Sequence, residues 1–188
     1  MPKIIKNLKE TIFEVSTELF LDHGYDKVDM KMIANNCNIA VGTLYNYYKN
    51  KKELYMSIIE ESWNKTFLKL KDLSSLKITQ KEKIAMVISI IYKDIEKRRG
   101  IGKELLNNGM TELSKDQRLK DFHIKLISNV ENIIKPLEKI DAFKNDKIID
   151  RKISEILLAS SVILIQSHFN QKDENIKFLN TLLDSFIK

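Results

Sequence analysis

Residues 29–54 read DMKMIANNCNIAVGTLYNYYKNKKEL, and the fold turns on how this stretch is parsed. Asp29 is placed to N-cap a short helix over Met30–Asn36, with Ile33 and Ala34 facing inward. Cys37, Asn38 and Ile39 then form a three-residue break, in which Asn38 is best able to adopt a positive φ. A further helix fits Ala40–Tyr48, and Asn50 with Glu53 three residues later resembles a capping box that starts a long helix reaching about Leu73. Two short helices joined by a tight turn have the geometry of a helix-turn-helix. On the second of them Leu44 and Tyr48, with Ile39 just before it, point to a core. Val41, Gly42, Tyr45 and Asn46 fall on the opposite side, where a recognition helix meets base edges. Gly42 permits close backbone approach, Asn46 can both donate and accept as adenine readout requires, and Val41 suits a thymine methyl. Thr43, Tyr45, Tyr47 and Lys51 supply hydroxyls and a charge for phosphates, which position a protein without specifying sequence.

Outward from this segment every signal is helical. Ile5, Leu8, Ile12, Val15 and Leu19 step by three and four, predicting a helix over about 4–22 that Gly24 terminates. The long helix after Asn50 has Tyr55, Ile59, Trp63, Thr66 or Phe67, and Leu70 as its stripe. Thr79 and Glu82 form a capping box before Ile84, Ile88, Ile91 and Ile95. Gly100 and Gly109 bracket a short helix, and Ser114 with Gln117 caps another that carries Leu119, Phe122, Leu126, Val130 and Ile133 and stops near Pro136. Helices over about 147–170 and 174–187 complete the chain. No segment alternates with period two and no repeat is present. The expectation is an all-α protein of about nine helices.

Composition excludes several classes. Five Gly and two Pro in 188 residues are too few for a turn-dense β sandwich. A single cysteine, Cys37, rules out an intramolecular disulfide and a multi-cysteine metal site, and His23, His123 and His168 lack ligand spacing, so no metal is expected. The apolar run Ile156–Ile165 is far short of a membrane span, and the amino terminus shows no continuous apolar h-region, which together suggest a cytoplasmic protein with no membrane partner. The net charge of +6 makes nucleic acid a plausible partner, yet residues 1–55 hold eight Lys against seven acidic residues. No nucleophile–base pair, carboxylate dyad or phosphate-binding glycine loop stands out, so neither enzyme nor cofactor is expected.

The segments FLDHGY (20–25), IA (33–34) and GTLYNYYKNKKEL (42–54) resemble the DNA-binding signature of TetR/AcrR-family transcriptional regulators over about residues 4–55. The resemblance implies that Lys31, Val41, Gly42, Tyr45 and Asn46 touch bases or the groove wall, and that Thr43, Tyr47 and Lys51 contact phosphates of double-stranded DNA. Two residues depart from the family pattern. Asn38 stands where a turn glycine is usual, and Ala40 where a serine usually caps the recognition helix, a loss worth about 1 kcal/mol. The implied organisation is a three-helix DNA-binding domain at 1–55 and a bundle at 56–188 for ligand binding and dimerisation. The implied function is that of a homodimeric repressor that a small-molecule effector releases from a near-palindromic operator. The competing class is a helical enzyme or interaction module in which 29–54 only pack.

Two further sites are expected in the bundle. Trp63, Phe67, Met86, Tyr92, Met110, Phe122 and His123 lie on or beside apolar stripes and are candidates for an effector pocket, unless they simply fill the core. The last two helices are apolar nearly all round, and a second copy would cover Ile156, Ser160, Ile163 and Ser167 on one, and Leu179, Leu183 and Phe186 on the other. A monomeric core is the alternative there.

Overall fold

A computed structural model of the chain describes residues 7–102 and 113–188. Among these residues there are eight α-helices and no strand: α1 (Leu8–Lys27), α2 (Met30–Asn36), α3 (Val41–Tyr45), α4 (Lys51–Asp72), α5 (Gln80–Lys97), α6 (Gln117–Ile134), α7 (Ile149–Ser167) and α8 (Lys172–Asp184). The short helix expected between Gly100 and Gly109 falls largely outside the described residues. The chain divides into two compact units, residues 1–62 with 99–101, and residues 63–98 with 102–188.

In the first unit α1 packs on α2, and α2 on α3. The helical run of α1 breaks at Gly24, whose φ of 77° and ψ of 166° suit glycine and few other residues. The buried line of α1 is Ile12, Ser16 and Phe20, whereas Leu8, Val15 and Leu19 are only half-buried. This corrects the expected stripe, which followed the apolar residues and passed over a serine that sits at the centre of the packed face. Phe20, Tyr25 and Tyr55 form an aromatic cluster with centroids 4.7 to 6.1 Å apart, which anchors α4 beside the end of α1. Arg99, at a φ of 44°, pairs with Asp22 within the same unit.

In the second unit α7 packs on α5, α6 and α8, and α5 also packs on α8. Thr79 and Glu82 make the expected capping box, the Thr79 N–H donating to Glu82 Oε2 at 2.8 Å and the Glu82 N–H to Thr79 Oγ1 at 3.2 Å. These bonds hold the Glu82 carboxyl below the ordinary carboxylate range. The α6 start differs from expectation. Asp116 is its N-cap, accepting from the N–H groups of Arg118 at 2.9 Å and Leu119 at 3.3 Å. The carboxylate lies nearer the helix than the serine two residues earlier and captures two orphan donors by itself. The carboxy terminus is tied back by an isolated antiparallel bridge between Lys139 and Ile187.

A polar cluster lies inside this unit. Asp94 on α5 accepts from Thr66 Oγ1 and Lys69 Nζ on α4, each at 2.8 Å, and Arg98 donates to the same threonine hydroxyl. The Arg98 guanidinium lies 4.0 Å from the Trp63 ring centroid. Burial pushes the Asp94 carboxyl upward, but the hydrogen bonds from Lys69 and Thr66 outweigh it and hold the group below its ordinary range. Burial draws Arg98 down to about 10 against the opposing field of Asp94.

Candidate DNA-binding site and bundle cavity

The turn between α2 and α3 is set by local chemistry. Asp29 Oδ1 caps α2 by accepting from the Met32 N–H at 2.7 Å. At the other end Asn38 takes a φ of 55°, its N–H donates to Asn35 O at 3.1 Å, and the Ile39 N–H donates to Ala34 O at 3.0 Å. This is a Schellman motif with asparagine in the left-handed position that glycine usually fills. Ala40 begins α3 with no side-chain cap, its carbonyl accepting from Thr43 at 2.9 Å and Leu44 at 3.3 Å.

The α3 helix is five residues long, shorter than the sequence suggested, and Asn46 and Tyr47 continue it as a turn. Leu44 and Tyr48 are buried as expected, while Ile39 is half-buried. Burial first, and then the charge of Glu53, raise the Tyr48 phenol above its ordinary pKa. Gly42 and Asn46 are exposed, Val41 and Thr43 half-buried, and Tyr45 and Tyr47 are 48% and 40% exposed. A Cβ built on Gly42 meets nothing within 4 Å, so the fold itself does not require glycine there. Gly42→Ala is therefore expected to leave thermal stability unchanged or raise it slightly, by up to about 1 kcal/mol, while weakening any DNA complex that needs the open backbone. Paired melting curves and gel shifts of the variant check this.

Charge around α3 comes from α2 and the start of α4. Lys31, Lys49 and Lys52 are exposed. Lys51 is half-buried and committed in part: its Nζ donates to Tyr25 O at 2.8 Å and lies 4.1 Å from the Tyr25 ring centroid. Sequence reasoning missed this clip, because Tyr25 lies 26 residues away. At the start of α4, Asn50 Oδ1 accepts from the Glu53 N–H at 2.8 Å, and Glu53 reaches back to the Lys49 N–H at 2.9 Å.

In the bundle unit a cavity of about 510 Å³ opens between α4, α5 and α6. Phe67, Leu68 and Leu70 of α4 and Ile133 and Pro136 at the end of α6 give its apolar wall. Of the candidate pocket residues, Phe67 alone among those described lines this cavity. Trp63, Tyr92 and Phe122 are buried core residues, the Tyr92 hydroxyl accepting from Asn175 Nδ2 at 2.8 Å. Met86 is exposed and His123 half-buried, neither lining the cavity, and Met110 lies outside the described residues. The apolar stripes thus marked mostly what the helices bury, and only their ends, at Phe67, Leu70 and Ile133, border the cavity.

The interface candidates also separate. Ile156 and Ser160 are half-buried, Ser167 is exposed, and Ile163 is 58% exposed on α7. Leu179 and Leu183 are fully buried within the chain, and Phe186 packs on Phe143 with ring centroids 5.4 Å apart. Leu179 and Leu183 face the chain's own core, so these two are corrected, while Phe186 is half-buried; α8 offers Phe178 to the outside, at 56% exposure.

The first unit is thus a helix-turn-helix with an open third helix, and the second a helical bundle with a cavity of about 510 Å³. Residues 12–58 match the family described as bacterial regulatory proteins of the tetR family. The fatty acid metabolism regulator protein of Bacillus subtilis is 32% identical over 78 residues, 42% of this chain and 40% of that protein. The chain spans less than half the length of the curated relatives it matches. In overall fold it is similar to the fatty acid degradation regulator FadR of Bacillus halodurans, with a TM-score of 0.72 at 16% identity, covering 96% of each chain. It is similar in the same way to FadR of Bacillus subtilis, solved with stearoyl-CoA, at a TM-score of 0.68 and 19% identity over 91% of this chain and 97% of that one. The match to the tetR family thus covers residues 12–58, and over the rest of the chain the likeness to these regulators is one of fold.

Proposed function

We propose that the protein is a homodimeric, cytoplasmic repressor whose two helix-turn-helix heads bind the half-sites of a near-palindromic operator and release it when an effector enters the bundle cavity. The observation that carries this reading is the open side of α3, where Gly42, Tyr45 and Asn46 are exposed and Val41 half-buried, on a helix led in by the turn that Asp29 and Asn38 fix. In this reading Lys31 and those four residues meet bases or the groove wall. Thr43, Tyr47 and Lys51 sit at phosphates, with one of the three Lys51 donors already given to Tyr25. The effector role is supported by the cavity and by a fold relative solved with stearoyl-CoA. Because α4 begins at Lys51 and carries Asn64, Phe67 and Lys71 of the cavity wall, an occupant bears on the same helix whose first turn borders the DNA-binding segment.

A gel shift against DNA upstream of the protein's own coding region tests the reading. Asn46→Ala is expected to change the preference among operator variants by roughly 1–3 kcal/mol at one base pair. Lys51→Ala should weaken all sequences alike and lower the salt slope by about one contact. Unaltered binding in both variants overturns the assignment of this surface.

A further inference from the structure

Resting on the DNA-binding reading above, we infer that Tyr25 is a positioning residue for the phosphate contact of Lys51: its carbonyl and its ring face hold the ammonium in place without cancelling the charge. Tyr25 lies in the last turn of α1, whose carbonyls have no partner within the helix, and Lys51 opens α4. The Lys51 Nζ donates to Tyr25 O at 2.8 Å and lies 4.1 Å from the centroid of the Tyr25 ring. The ring is itself fixed. It stacks on Phe20 at 6.1 Å and tilts against Tyr55 at 4.7 Å between centroids. Lys51 and Tyr55 are one turn apart on α4, so a single face of that helix brings both to the same ring.

The chemistry of the two partners is what points outward. Elsewhere in the chain a carboxylate neutralises a fixed lysine: Lys69 pairs with Asp94, Lys139 with Asp150 and Lys152 with Asp146. A carbonyl dipole and a ring quadrupole attract an ammonium yet leave its unit charge whole. Of the three N–H donors of the ammonium, the carbonyl takes one. A lysine in open solvent samples many rotamers and loses that freedom when it grips a phosphate. Lys51 is half-buried and has lost part of it on folding, so less is lost when DNA arrives. Its place matters too. The first turn of a helix disfavours a cation, and α4 begins at Lys51. The contacts from Tyr25 offset that cost, and a phosphate beside the ammonium reverses it.

Anisotropy titrations of the full chain against a duplex of about 30 base pairs and arbitrary sequence test this, because phosphate contacts do not depend on sequence. Lys51→Met keeps an apolar stem against the ring and removes the charge, and it should lower the salt slope by about one contact per bound head. Tyr25→Leu should weaken binding about threefold, the scale of one partly exposed cation–π contact. Added to Lys51→Met it should weaken binding no further, since the lysine it positions is gone. Tyr25→Phe keeps the ring and the carbonyl and should bind as the wild type does. An effect of Tyr25→Leu that came only through the fold of the head would be equal in both backgrounds. Equal losses therefore overturn the inference and leave the phosphate role of Lys51 standing. A Lys51→Met variant with the affinity and salt slope of the wild type overturns both. Proton spectra give a readout that needs no change at Tyr25. The ε-methylene signals that Lys51→Met removes should lie upfield of those of other lysines, shifted by the Tyr25 ring, in the free protein and in the DNA complex alike. Signals that move to the ordinary lysine position on DNA binding show the ammonium leaving the ring, and this too overturns the inference.

Discussion

Asp94→Ala is expected to destabilise the bundle by about 3 kcal/mol, at the low end of what removing one partner from a buried charge pair costs. The Asp94 side chain is only 10% exposed and accepts from both Thr66 and Lys69, while Arg98 is buried beside it with its guanidinium over Trp63. Deleting the carboxylate leaves the guanidinium in the interior facing a threonine hydroxyl, with its compensating charge gone. Asp94→Asn keeps a hydrogen-bond acceptor and a similar volume, so it should cost less than the alanine variant and remain folded. Urea unfolding of both variants measures the difference. The effect has a pH signature. The folded-state carboxyl is held below its ordinary value, so its stabilising contribution is present above the ordinary carboxylate range and is lost as the pH falls through the depressed folded value. The gap between wild type and Asp94→Asn should therefore close on acidification through that window. A constant gap across it would show that Asp94 acts through packing instead of charge.

This cluster also shows where a sequence stops being readable. Thr66 and Asp94 are 28 residues apart, and Thr66 and Arg98 are 32 apart; no periodicity links them. The helix-turn-helix was legible because its determinants are local. Asp29 caps the residue three ahead of it, Asn38 supplies the left-handed turn, and Leu44 with Tyr48 marks the buried side, all within one 20-residue window. The length of α3 was less legible. After Tyr45 the chain leaves regular helix with no glycine or proline to mark the end, and Tyr48 still reaches the core from the turn. The cavity was not legible for a different reason. Apolar spacing identifies the side that is packed, and for Trp63, Tyr92 and Phe122, candidates for a pocket or for the core, that property buries them in the core. A void depends on where α4, α5 and α6 fail to meet, which no single helix records. The same confusion affected α8. Its apolar surface on several sides was assigned to a second copy, yet Leu179 and Leu183 are covered by the chain's own helices. What survives is the smaller set of apolar groups that the chain leaves open.

That smaller set defines the second large effect. Ile163→Asp is expected to convert the proposed dimer to a monomer and to weaken operator binding by about a hundredfold or more. Two linked heads that engage two half-sites gain affinity of about that size over one head through effective concentration alone. Ile163 is 58% exposed on α7, on the face that also carries Ile156, Ser160 and Ser167, and Phe178 of α8 is 56% exposed. The small Ala159 and Ser160 beside them let a second helix approach closely, as in a four-helix packing of two α7–α8 pairs about a two-fold axis. Because Ile163 contributes little to the chain's own core, an aspartate there should not unfold the subunit. The same charge set against its own symmetry copy is both desolvated and repelled, since a two-fold axis brings like residues together. Circular dichroism should therefore show native helicity, while sedimentation equilibrium at micromolar concentration shows a mass near 22.0 kDa in place of twice that value. Phe178→Ser should act in the same direction and more weakly. A variant that remains dimeric places the interface on a different face of the bundle. A monomeric variant that binds a two-half-site operator as tightly as the wild type shows that the heads do not depend on this interface for their spacing.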